Sequence, residues 1–377
     1  DGVRISIVTG PFVGVPPSPA GAVEQIWNGL GIEFAKRGHA VTIVARHDPE
    51  QPRECRRDGV TYVRQFSFRR TGRIAFDLGK DLVHAVAIQP FIPRADVVVL
   101  NSFWLPIVTP WLVPRSSRLV YNVARMPKRQ MPLYGFVHRL AAVSEAVREE
   151  IARQHPASLP RTRVIPNPIH TDVFVPVERG PGDGRRVLLF TGRVHPEKGV
   201  HLLVEAFRRL RAEHPDLVLR IIGPTAVEDG GGGPAYLASL QGLAAGLPVE
   251  FLPAIKDRRE LARALQAAHV YCYPSLADRG ESFGVAPLEA MATGLPTVVS
   301  NLACFRDFVR DGENALVFDH RSEDPVKALR RALHEPLARP DLARRLGAAA
   351  AETAMGFGYS RVADMYVNDF VELLASR

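Results

Sequence analysis

Two carboxylates and two cations in this sequence have neighbours that would let them do chemistry. Glu281 and Glu289, with seven residues between them, fall in the segment RGESFGVAPLEAMATGLPTVVS. Pro287 suits the first turn of a helix, where its missing N–H costs nothing, and Gly294 and Pro296 supply a stop. The pattern predicts a helix from about Ala286 to Thr293, with Glu289 in its first turn and a loop from Arg279 to Val285 ahead of it. The amides of Gly284, Val285 and Ala286 would then lie at the positive end of the helix dipole, a ready site for an anion. Two carboxylates beside such a site suit a ligand that carries both phosphate and hydroxyl groups. The plainer reading makes Glu281 a solvated side chain and Glu289 an ordinary first-turn acid.

The cations lie in LLFTGRVHPEKGVHLLVEAF, where a buried strand runs into Thr191-Gly192-Arg193, then a tight loop, then Lys198-Gly199 opening a helix. In an open α/β sheet, ligands bind just past the carboxyl end of such a strand. Arg193 can grip an oxyanion with two parallel bonds and Lys198 can add a point charge. The plainer reading is two surface cations, one of them paired to Glu197. The Walker pattern GxxxxGK[ST] is missing, so this is no P-loop.

The elements that must hold these groups are legible as short β-branched runs. They begin at Ile5, Ala40, Asp96 and Arg118, and again at Val187, Leu217, Val270 and Thr297. Amphipathic stretches such as VHLLVEAFRRLRAEH and RELARALQAAH separate several of them. Unbroken apolar strands alternating with helices predict parallel sheets covered on both faces. The alternation breaks once, at VIPNPIHTDVFVPVERGPGDG, which is dense in Pro, Gly and Asp and reads as a linker between two doubly wound domains. The last stretch, FGYSRVADMYVNDFVELL, spaces Val362, Met365, Tyr366, Phe370 and Leu373 along one helical face. The glycine run from Gly230 to Gly233 reads as a flexible loop without chemistry of its own.

Composition bounds the rest. At 377 residues the chain is about right for two domains of roughly 100–200 residues each, and 46% hydrophobic with 23% charged residues suits a folded globular protein. No apolar run approaches the roughly 18 residues that a spanning helix needs. The strand-like Arg4–Thr9 stretch opens the sequence, so a signal peptide is expected to be absent or already removed. Three cysteines, Cys55, Cys272 and Cys304, with no CxxC spacing, argue against a disulfide framework or a cysteine zinc site and fit a reducing cytoplasm. The net charge of +8 is uneven, because residues 1–170 hold 23 Lys and Arg against 13 Asp and Glu, while residues 171–377 hold 25 against 27. A basic first half invites an anionic partner, although an Arg-rich solvated surface accounts for it equally well.

Taken together, the two chemical segments resemble those of the family 4 retaining glycosyltransferases, which have the GT-B architecture. The resemblance runs over nearly the whole chain, through RGHAVTIV, AVSEAV at Ala142, VIPNPIHTDVF, GRVHPEKG and the Glu281–Glu289 pair. It implies two doubly wound Rossmann-like α/β domains facing a cleft. Residues 1–168 would form the acceptor-side domain, 169–184 the linker and 185–356 the nucleotide-sugar domain, with 357–377 a helix crossing back to the first domain. The implied donor is a nucleotide-diphosphate sugar, UDP- or GDP-linked, and the implied acceptor carries a hydroxyl. Arg193 and Lys198 would neutralise the diphosphate, with Gly192 beside them. Glu289 would bond the ribose hydroxyls, and Glu281 with the amides of Phe283, Gly284 and Val285 would hold the donor sugar and distal phosphate. Gly21, in SPAGAVEQIW, corresponds to a glycine-rich turn that approaches the phosphates, with Ala20-Gly21 in place of the usual Gly-Gly. A histidine that members usually carry after the strand RLVYNVARMPKRQ is absent, and Asn122, Ala124 and Arg125 occupy its region. His138 and His39 read as structural.

No D-x-D motif is present, so the resemblance implies no metal and no cofactor, with Arg193 and Lys198 standing where a cation would. A sugar-nucleotide epimerase or a phosphorylase of the same architecture is the rival enzyme. A non-catalytic binder of nucleic acid or of an anionic surface is the rival of another class, and it lacks the basic helix or aromatic–basic ribbon that nucleic acid would call for. The stretch RQFSFRRTGR, from Arg64 to Arg73, reads as an acceptor-side loop or as a peripheral contact with an anionic membrane, on a cytoplasmic protein. The loops after Leu100 and Val120, rich in Trp, Phe and Pro, are either acceptor-stacking faces or core.

Overall fold

The computed structural model describes residues 2–16, 21–178 and 184–376. Its contacts divide the chain into two compact units, one of Asp1–Pro168 with Tyr359–Arg377 and one of Ile169–Gly358. In the first, the strands are β1 (Arg4–Val8), β2 (Ala40–Arg46), β3 (Glu54–Arg57), β4 (Val60–Gln65), β5 (Val97–Leu100), β6 (Arg118–Val123), β7 (Arg139–Ala142) and β8 (Thr162–Val164). They lie in the order β3-β4-β2-β1-β5-β6-β7-β8, all parallel except the β3–β4 hairpin. Helices α1 (Ala22–Lys36), α2 (Ile74–Ala87), α3 (Leu105–Val108) and α4 (Glu145–Gln154) connect them. Ser144 caps α4 by accepting a bond from the Val147 amide at 3.2 Å, which satisfies one of the amides a helix start leaves open.

The second unit holds β9 (Arg186–Thr191), β10 (Leu217–Ile222), β11 (Val249–Leu252), β12 (Val270–Tyr273), β13 (Thr297–Ser300) and β14 (Leu316–Phe318). Their order is β11-β10-β9-β12-β13-β14 and every pairing is parallel. Helices α5 (Val200–Leu210), α6 (Gly233–Leu243), α7 (Arg258–Gln266), α8 (Val285–Ala292), α9 (Pro325–Ala338) and α10 (Pro340–Met355) cover the sheet. All eight expected β-branched runs are strands, and both sheets are doubly wound. Part of the Pro- and Gly-rich junction packs into this unit: Ile169 and Phe174 are buried, and the Ile169 amide donates to Phe357 O at 2.8 Å. Residues 179–183 of that junction, like Ala20, lie outside the described residues.

The final helix, α11 (Tyr359–Ala375), belongs to the first unit and lies against α1. Its expected apolar face is real, since Val362, Tyr366, Phe370 and Leu373 join Trp27, Leu30 and Phe34 in one buried cluster. Phe34 meets the Phe370 ring edge-on at 5.8 Å, and Tyr366 tilts against Trp27 at 5.0 Å. A buried ion pair sits at the same contact, with Arg139 Nε 3.0 Å from Asp369 Oδ1. Among the described residues no helix is long and apolar enough to cross a membrane. Because Phe370 fills a closed aromatic cluster, Phe370→Ala should cost about 3–5 kcal/mol of stability, the range for truncating a buried aromatic ring, read by urea denaturation.

Candidate functional site

The second sheet reverses direction at one place. From β9 the chain winds outward through β10 and β11, then returns to β12 on the other side and continues through β13 and β14. The crevice above the carboxyl ends of β9 and β12 is therefore a topological switch point, the place where open α/β sheets bind ligands. The two segments singled out in the sequence are the loops that leave these two strands, residues 192–199 and 274–284.

Backbone contacts join the loops. The Leu276 amide donates to Glu197 O at 2.7 Å, and a Cβ on Gly199 would lie 2.1 Å from Pro274 O. Gly199 also has φ 67°, so both its conformation and the closeness of the neighbouring backbone require glycine there. Across this seam Lys198 Nζ donates to Glu281 Oε2 at 2.6 Å, with only 5% and 12% of the two side chains exposed. The same oxygen accepts from Ser275 Oγ at 3.1 Å and from Tyr273 Oη at 3.2 Å. Burial, and then the Glu281 charge, push the Tyr273 hydroxyl well above its ordinary range, which keeps it a proton donor. Its ring stacks on Phe190 at 5.8 Å, and Lys198 Nζ lies 5.6 Å from its centroid.

Arg193 is held differently. Its Nη2 donates to Glu197 Oε1 at 2.6 Å and its Nη1 to Gly230 O at 2.8 Å. The pairing to Glu197 is the plainer of the two readings of the sequence, and it is present. The expectation of a flexible glycine loop fails here. Gly231, Gly232 and Gly233 donate to Ala226, Val194 and Thr225 carbonyls at 2.8–2.9 Å, so the run is a built turn whose first carbonyl anchors Arg193.

Helix α8 starts one residue earlier than the pattern predicts, with Gly284 as its N-cap at φ 100°. A Cβ on Gly284 would lie 2.5 Å from the Phe305 ring. Val285 opens the helix, and Phe283 turns its side chain into the core against Phe308 at 5.4 Å. The earlier start moves Glu289 to the fifth helical position, out of the first turn, so the ordinary first-turn acid is not what it is. It is partly buried, and loss of water pushes its carboxyl up to about 8, against the pull of the Arg258 charge. Arg258, at the start of α7, acts also on His170, whose imidazole burial drives down to about 4.

The family described as glycosyl transferases group 1 matches residues 176–353, and glycosyltransferase family 4 matches residues 23–173. Between them they take in most of each unit, though not the final helix. The chain belongs to the group 1, family 4 glycosyltransferases. A curated relative, the D-inositol 3-phosphate glycosyltransferase of a Nocardioides species, is 31% identical over 242 residues, 59% of this chain and 51% of its own length. The chain thus spans about half the length of that relative. Two solved structures share the fold over 100% of both chains. One is sucrose-phosphate synthase from Thermosynechococcus elongatus, with TM-score 0.78 and 21% identity. The other is an Anabaena protein solved with UDP-glucose, with TM-score 0.73 and 16% identity.

Of the residues the resemblance implies, Gly192, Arg193, Lys198, Glu281, Phe283 and Gly284 lie on the two loops of one crevice, with Val285 opening α8 and Glu289 one turn along it. Gly21 belongs to the first unit, where it is the N-cap of α1 at φ 114°. Near it, Arg125 and Arg70 act on Glu24, whose carboxyl burial raises. In the region of the family's histidine, Asn122 Nδ2 donates to Asn101 Oδ1 at 2.9 Å. His138 and His39 each accept a backbone amide at 3.0 Å, from Leu119 and Val3. Of the aromatic loops, Tyr134 is core, while Trp111 stands exposed with Phe136 against it at 5.1 Å. Sequence reasoning missed Tyr273, Ser275 and Arg258. The first two stand in VYCYPS, at the end of a recognisable strand and just beyond it, and that position was the available signal.

The raised Glu289 pKa has a stability consequence. Below the ordinary glutamate value of 4.5 both folded and unfolded chains keep the proton and nothing is lost. From there up to about 8 the unfolded chain releases it while the folded chain holds it, so stability falls as pH rises. Glu289→Gln, neutral throughout, should therefore gain thermal stability over the parent between pH 5 and pH 8, in ~0.1 M salt, and a constant difference in Tm across that range would refute the assignment.

Proposed function

We propose that this glycosyltransferase transfers a sugar from a UDP- or GDP-linked donor to a hydroxyl acceptor, with retention at the sugar carbon and without a metal ion. The observation that carries the reading is the meeting of Arg193, Lys198 and the α8 N-terminus at the switch point of one sheet. Departure of a nucleotide diphosphate places negative charge on its distal phosphate and positive charge on the sugar carbon. Fixed cations and oriented amides lower that barrier without having to reorganise as the bond breaks.

Each residue has a part in this. Lys198 and Arg193 meet the diphosphate, Glu281 and the amides of Phe283, Gly284 and Val285 hold the sugar and distal phosphate, and Glu289 accepts from the ribose hydroxyls. Retention follows from front-face attack, in which the departing phosphate oxygen takes the acceptor's proton. The second unit is the donor side and the first unit the acceptor side. The Anabaena structure with UDP-glucose supports a nucleotide-sugar donor.

In calorimetry, Lys198→Ala or Arg193→Ala should weaken UDP or GDP binding by about 1.5–3 kcal/mol, the scale of a hydrogen bond to a charged group. Unchanged affinity in either variant would remove that residue from the clamp. With labelled donor, an epimerase would return an altered donor and a binder would release no nucleotide, whereas transfer yields a nucleotide diphosphate and a labelled acceptor in step. That turnover should persist in excess EDTA, and activity lost there and restored by magnesium or manganese would overturn the metal-free mechanism.

A further inference from the structure

Helix α2 has its polarity reversed. Amphipathic helices bury an apolar stripe and turn their polar face to water. Here the buried positions include Asp81 and His84, while the opposite side carries Phe76, Val83 and Val86, which are 63%, 55% and 52% exposed. Successive residues turn by about 100°, so Leu78, Leu82 and Val86, with Ala75, Phe76 and Val83 beside them, form one continuous outward face.

The inward polar groups are fixed by specific bonds. Asp81 Oδ2 accepts from the Trp104 amide at 3.1 Å, and the His84 ring nitrogens lie 3.1 Å from Ser67 Oγ and 3.2 Å from Thr9 O. The helix therefore cannot roll its apolar side inward without stranding a buried acid and a buried imidazole.

The loop ahead of α2 is pinned to it. Asp77 accepts from the Thr71 amide and hydroxyl at 2.8 and 2.7 Å and from the Gly72 amide at 3.1 Å, and Lys80 Nζ donates to Arg69 O at 2.7 Å. These bonds set the exposed Arg69 and Arg73, with Lys80, around the apolar face, with Ile74 at 78% and Phe66 at 77% exposure. Arg64 is not part of it, being buried with its Nε donating to Val15 O at 2.8 Å.

We propose that this face docks on an anionic lipid bilayer, with Phe76, Val83 and Val86 entering the interface and Arg69, Arg73 and Lys80 lying against the headgroups. Three cations on and just ahead of an exposed apolar helix face complement such a surface. A second copy seated on the same face about a two-fold axis would bring its own three cations against these. The inference concerns the first unit alone, so its failure leaves the donor-site reading intact, and the reverse holds too.

The test is sedimentation of the full chain with vesicles of phosphatidylcholine alone or with about 30% phosphatidylglycerol, at low and high salt. Binding should be roughly tenfold or more tighter to the anionic vesicles and weaken as salt is added. Joint replacement Phe76→Ser with Val83→Ser, or Arg69→Glu with Arg73→Glu, should lose roughly tenfold or more of it, while thermal melting stays at the parent value because these side chains are exposed. Phe76→Trp provides an independent readout, its emission shifting to the blue with anionic vesicles and being quenched by brominated acyl chains. Equal retention on both vesicle types, or an unshifted Phe76→Trp spectrum, would overturn the proposal. So would a dimer in sedimentation velocity that Phe76→Ser dissociates, which would assign the face to a second copy.

Discussion

The candidate site depends on one buried contact, the 2.6 Å ion pair between Lys198 and Glu281. Taking two charges out of water costs several kcal/mol each, and their attraction offsets this only when the remaining polar atoms are satisfied as well. Ser275 and Tyr273 supply that satisfaction on the carboxylate side. The pair also joins loops from adjacent strands, so its geometry is set by the β9–β12 pairing and by the close approach at Gly199. Break the seam and both charges lose their partner at once.

For the proposed diphosphate donor, this arrangement would make recognition an exchange. Arg193 and Lys198 are each neutralised by a carboxylate from the protein, Glu197 and Glu281. An incoming phosphate must compete with those carboxylates or share their cations, and a weakly charged anion gains little by doing so. A diphosphate brings more charge and more acceptor oxygens, and charge-assisted bonds of this kind are the strong ones. In the proposed reading, a preference for a highly charged group would come from the pairing as much as from the cations themselves.

Both doubly wound sheets were legible because their central strands are buried on both faces and so read as unbroken β-branched runs. Of the six strands that escaped notice, β4 and β7 are internal, the one alternating buried with half-buried residues and the other short and half alanine, while β3, β8, β11 and β14 are the sheet edges. β3 is mostly exposed, β14 has three residues, and β11 is only partly buried, so none carries the same apolar signature. Arg193, Lys198 and Glu281 could be chosen from residue type and position alone. What could not be read was their mutual pairing, which depends on β9 and β12 being neighbours across a long stretch of chain. The glycine run was misread for a related reason. Composition says how freely a segment could move, while Gly230 and its neighbours are fixed by carbonyls close by and by Arg193 and Val194, which are distant in sequence.

Glu281 and Glu289 show how far environment divides two residues of one type on one segment. Glu281 sits where Lys198, Tyr273 and Ser275 all donate to one of its oxygens. Glu289, eight residues on, has burial acting against its charge and Arg258 only partly opposing it. Gly284, with its left-handed backbone, starts α8 one residue before the sequence pattern does and so places Glu289 at the fifth helical position, past the amide-rich first turn. Had the helix begun at Ala286, Glu289 would stand closer to those open amides, where an anion is stabilised. Partners at the one position and burial at the other therefore separate a side chain that anchors a cation from a carboxyl group that holds its proton near neutral pH.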